Sequence, residues 1–211
     1  MPITKSTLGS AIAVLAASLA FAAPAAASNV DLSNPAFAQV TGPTSIPIGH
    51  SEFCKTHGDE CGVYAGAVEV TELDETRWTQ LVSINNNLNS AIVPVTDQDY
   101  YQVAEFWTYP SGYGDCEDIA LAKRRELIAN GWNASTLLMA VVREPNGNGH
   151  AVLMVRTDRG DVVLDNQVGT IKVWADTPYH FLKRQSQANA GQWVGIDDSR
   201  AMMVATTAST K

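Results

Sequence analysis

Apolar side chains return every three or four positions between residues 73 and 92, at Leu73, Trp78, Leu81, Ile84, Leu88, Ala91 and Ile92, which predicts an amphipathic helix over residues 74–92. Its asparagines at 85–87 and 89 weaken a helix slightly, and they read equally as a polar, fraying face or as ligands. Residues 94–101 form a polar loop carrying Asp97 and Asp99. An extended run over 103–109 ends in Pro110, Gly112 and Gly114, and a second helical pattern begins at Cys116 and stops at Asn130-Gly131. Within it Cys116, Ile119, Ala120, Leu127 and Ile128 share one face, while Lys123, Arg124 and Glu126 fall largely elsewhere. Past Gly131 the pattern changes to that of strands, over 136–143, 150–156 and 161–165, with shorter ones over 171–174 and 192–196. A helix packed on an antiparallel β-sheet is an α+β architecture.

The ends of the chain read differently. Lys5, an apolar run over 8–23 and Ala25-Ala26-Ala27 predict a signal peptide over residues 1–27, cleaved before Ser28. The rival, a retained membrane anchor, needs a longer run that is less rich in alanine. Residues 28–45 read as a flexible lead-in, 46–200 as one domain, and 201–211 as a tail with no assigned structure. The net charge of −8 becomes −9 once Lys5 is removed. An acidic, exported domain argues against nucleic acid or an anionic membrane surface as partner, and it has no membrane span after signal cleavage.

The chain has three cysteines. Cys54 and Cys61 are close enough to close a small disulfide loop in an oxidising compartment, which leaves Cys116 unpaired. A zinc site from Cys54, His57 and Cys61 lacks a fourth ligand of suitable spacing. Cys116 lies in a first helical turn, where amides and the helix dipole favour a thiolate. Asp115, Glu117 and Asp118 oppose this, because their charge raises a thiol pKa. A divalent cation is the simplest remedy, and clustered carboxylates are the hard ligands that calcium prefers. His150 begins one strand and Asp165 ends the next, the base and orienting carboxylate that a nucleophilic thiol needs. A turn near residues 158–160 would pair Asp165 with residue 153 or 154, so a bulge or twist is expected to bring it to His150. Each residue alone has a plainer reading, Cys116 as a buried thiol, His150 as a surface histidine and Asp165 as a turn former.

The stretch Gly114-Asp115-Cys116-Glu117-Asp118, then Gly149-His150-Ala151, then Leu164-Asp165-Asn166, resembles the bacterial transglutaminase-like cysteine peptidases, a group that includes the LapG-type periplasmic proteases. The resemblance extends to Cys54 through Cys61, the asparagines from Asn85 to Asn89, Trp107 to Pro110, and Arg184-Gln185-Ser186. It implies a papain/transglutaminase-like fold, with Cys116 as nucleophile, His150 as general base and acid, and Asp165 as the orienting carboxylate. It also implies calcium on Asp115, Glu117 and Asp118, and a periplasmic or secreted location. On that reading the Cys116 amide is the first oxyanion donor and the Trp107 side chain a second, unless Trp107 is simply a core aromatic. LapG-type members cut large surface adhesins near an alanine pair and are held by an inner-membrane receptor that responds to a cyclic dinucleotide. A protein substrate, an adhesin and such a receptor are therefore the implied partners.

Three functions compete on these residues. An exported calcium-dependent endopeptidase passes the acyl group to water, and a transglutaminase passes it to an amine. A non-catalytic exported binding module would keep Cys116 as a structural residue, inert to thiol reagents.

Overall fold

A computed structural model describes residues 37–199 together with Met1. Apart from that first residue, the expected signal peptide lies outside the described residues, as does the tail at 201–211. In chain order the elements are β1 (Val40–Thr44), α1 (Ile48–Thr56), α2 (Glu75–Ala91), β2 (Val93–Pro94), α3 (Asp97–Tyr100), β3 (Tyr113–Gly114), α4 (Cys116–Ala129), β4 (Leu137–Arg143), β5 (Gly149–Thr157), β6 (Gly160–Leu164), β7 (Lys172–Val173), β8 (His180–Gln185) and β9 (Trp193–Ile196). Seven strands form one sheet in the order β1-β9-β8-β4-β5-β6-β7, with every pairing antiparallel. α4 packs on β4 and β5, and α2 packs on α4. This is the expected α+β arrangement, with the helix that begins at Cys116 packed on an antiparallel sheet. Among the described residues, no helix is long and apolar enough to cross a membrane.

The helix over 75–91 starts where the pattern places it, because the Asp74 carboxylate accepts the Arg77 amide at 2.7 Å and caps the first turn. Gly131 (φ +82°) follows the end of α4. Lys123 and Arg124 depart from expectation. α4 packs against both the sheet and α2, and they are buried, 1% and 4% exposed. Arg124 tolerates burial because its guanidinium donates to the Leu137 carbonyl (3.2 Å) and the Tyr64 hydroxyl (3.1 Å) and pairs with Glu60 (3.4 Å).

The flexible lead-in over 28–45 is corrected at its far end. Val40–Thr44 is an edge strand paired with β9, and the Ala38 amide donates to buried Asp161 at 2.8 Å, so ordered structure begins before residue 46. The polar loop over 94–101 contains α3 and the strand end β2, which pairs in parallel with β3. The residues of the expected extended run over 103–109 form no strand.

Candidate active site

Cys116 is the first residue of α4, and Asp115 precedes it as the capping residue with an extended backbone. Its amide is one of the four helix-start N–H groups without an intrahelical acceptor. Cys116 is the free cysteine, while Cys54 and Cys61 form a disulfide, so their sulfurs cannot act as thiolate zinc ligands. His57, the third residue of the zinc alternative, stacks on Phe53 at 4.2 Å.

His150 and Asp165 meet directly, Nε2 to Oδ1 at 2.9 Å, with both side chains almost fully buried. The β5–β6 register explains how. Thr157 pairs with Gly160 and Leu153 with Leu164 with no bulge, so Asp165 would fall opposite Val152 rather than residue 153 or 154. It lies just beyond β6 and reaches His150 diagonally, two residues along the neighbouring strand, which a side chain spans without any register shift. Three donors converge on its carboxylate: His150, the Gln167 amide at 2.9 Å, and the Tyr179 hydroxyl on the second oxygen. Burial alone would push the Asp165 carboxyl up, but these hydrogen bonds hold it below the usual carboxylate range. With Nε2 engaged, Nδ1 is the nitrogen left for other work, and the Gln167 side-chain nitrogen Nε2 stands 3.5 Å from it. The backbone amide of Ala151, next to His150, donates to Cys116 Sγ at 3.4 Å. Cys116 and His150 thus line the same cleft, about 390 Å³, walled by Glu105, Trp107, Val141 and Lys183.

The thiol is not poised as a thiolate by the chain alone. Burial, and then the Glu117 charge, push its pKa far above the ordinary value, and Sγ donates to Glu117 Oε2 at 3.1 Å. Glu117 is itself raised to about 9 by burial and by Asp115.

Ligand atoms of Asp97, Asp115 and Glu117 lie within 4.8 Å of one another. Asp115 Oδ1 is buried without a partner in the chain, and the Asp97 carboxyl is raised by burial despite the Phe106 amide. Three oxygen donors forced together, one orphaned and two held up in pKa, fit a hard divalent cation. The sequence places Asp118 in that set with Asp115 and Glu117; the three converging carboxylates include Asp97 in its stead, while Asp118 Oδ1 accepts the Thr108 amide at 2.8 Å and its Oδ2 is buried without a partner in the chain. Asp97 arrives because the β2–β3 pairing lays residue 93 beside 113, and its own amide donates to Asp115 Oδ2 at 3.2 Å. Trp107, expected as a second oxyanion donor, is 4% exposed, and its indole N–H donates to Glu105 Oε1 at 2.5 Å.

The chain belongs to the bacterial transglutaminase-like cysteine proteinases (BTLCP), whose family model matches residues 40–201. No curated protein sequence matches it. Among solved structures it is similar to LapG of Legionella pneumophila in a calcium-bound form, at 20% identity over 75% of this chain and 99% of that one, with a TM-score of 0.49. It is also similar to EGTA-treated LapG of the same organism, at 20% identity over 75% and 94%, with a TM-score of 0.48.

Proposed function

We propose that this protein is an exported, calcium-dependent cysteine endopeptidase working through a Cys116, His150 and Asp165 triad on a large surface protein of its own bacterium. The carrying observation is the 2.9 Å contact between His150 Nε2 and Asp165 Oδ1 at the cleft that also holds the Cys116 thiol. With Asp165 on Nε2, His150 takes the Cys116 proton at Nδ1. The thiolate attacks the scissile carbonyl carbon, and the oxyanion forms against the Cys116 backbone amide. The imidazolium then protonates the departing amine as the C–N bond breaks, leaving a thioester. Water, deprotonated by His150, attacks the thioester, and the proton returns to sulfur as the acid leaves. Asp97, Asp115 and Glu117 would hold the calcium, which supplies the positive charge that relieves the sulfur of its carboxylate neighbours. Export rests on the basic start and apolar run of residues 1–27, and the adhesin substrate and inner-membrane receptor on the LapG-type resemblance.

Incubating surface proteins of the source bacterium with the mature chain tests this. New N-termini should appear with calcium and vanish with chelator or with Cys116→Ala. Fragments that persist with Cys116→Ala would refute the triad, and incorporation of a labelled amine in place of fragments would make the protein an acyl transferase.

A further inference from the structure

Asp165 carries the orientation of His150, yet the sheet does not hold it, since β6 ends at Leu164 and the carboxylate reaches its partner diagonally from a loop. The hold comes from α2, in the other layer. Asn89 Nδ2 donates to the Asp165 backbone carbonyl at 2.8 Å, and one turn earlier Asn85 Nδ2 donates to the Gly169 carbonyl at 3.0 Å. The loop of residues 165–169 is therefore pinned at both ends by one helix face. Asparagine disfavours helix interiors, and Asn85 is fully buried, which apolar packing alone would not select.

We propose that Asn85 and Asn89 are positioning residues for the triad carboxylate, fixing loop 165–169 so that Asp165 meets His150. This rests on the triad reading above.

The test is the rate of Cys116 alkylation by iodoacetamide at neutral pH in the mature, calcium-loaded chain, with thermal unfolding recorded for each variant. Asp165→Ala should slow alkylation by about tenfold or more, and Asn89→Ala and Asn85→Ala by about threefold to tenfold. The double variant Asn89→Ala/Asp165→Ala should match Asp165→Ala alone, because Asn89 acts through Asp165. A purely structural role would instead multiply the two losses. Wild-type rates in both asparagine variants, multiplied losses, or failure of both to fold would overturn the proposal. A wild-type rate in Asp165→Ala would refute the triad reading itself.

Discussion

Cys116 Sγ donates to Glu117 Oε2 at 3.1 Å, and that neighbouring carboxyl is itself raised to about 9 by burial and by Asp115. The sign of the resulting pH dependence follows from linkage. A carboxyl raised in the fold contributes stability that is fully present below its ordinary pKa of about 4.5 and is lost as pH rises through its folded value. Metal-free protein should therefore weaken from about pH 5 upward, while calcium, which binds the ionised form, stabilises it more as pH rises. The Tm gain on adding calcium should be larger near pH 8 than near pH 5. Equal gains in thermal scans would remove Glu117 from the metal site.

Asp97 and Asp118 should separate cleanly. Asp97→Ala takes one of three converging ligand oxygens, and calorimetry should show calcium affinity falling about tenfold or more. Asp118→Ala orphans the Thr108 amide, so it should cost about 1–3 kcal/mol of stability while calcium affinity moves by less than about threefold. The reverse pattern would restore the assignment made from sequence.

That exchange shows what the sequence makes legible. Cys116, His150 and Asp165 stand out because each is a chemistry-bearing residue at the start or end of a periodic run, and the strands after Gly131 carry continuous apolar runs. Asp97 reaches the site from 18 residues before Asp115, through a parallel pairing of two residues per strand that no local pattern announces. β8 was missed because Lys183 and Arg184 interrupt it, although Arg184 is buried in the middle of the sheet. β1 was missed because Gly42 and Pro43 are poor strand formers tolerated on an edge. Lys123 and Arg124 misled the helix reading because periodicity sends charge outward, whereas α4 has little outward face.

The Cys54–Cys61 bond closes a short loop, so its removal should cost about 2 kcal/mol. The loss should reach the cleft wall indirectly. His50 sits 3.7 Å from Cys54 Sγ, accepts the Trp193 indole N–H at 3.1 Å, and packs edge-on to Trp107 at 5.4 Å. The paired variant Cys54→Ser/Cys61→Ser should show a lowered Tm with Cys116 still alkylatable in the presence of calcium. An unchanged Tm would mean that the loop is held by its packing alone.

Two glycines near the cleft should behave oppositely. A Cβ on Gly49 would stand 2.2 Å from Trp107 Cδ1 and 2.9 Å from Glu105 Cγ. Trp107 has no room to retreat, since His50 and Trp193 pack edge-on against it and its N–H is held by Glu105. Gly49→Ala should thus cost about 1–3 kcal/mol and shift two side chains of the cleft wall. A Cβ on Gly149 meets nothing within 4 Å, yet Gly149 lines the cleft beside His150. Gly149→Ala should leave the Tm within about 1 °C of wild type, because no packed neighbour is displaced. It should raise KM for the protein substrate more than it lowers kcat, because the added methyl occupies space the scissile strand needs while the triad stays intact. A destabilised Gly149→Ala, or one with unchanged KM, would place the substrate on another face of the cleft.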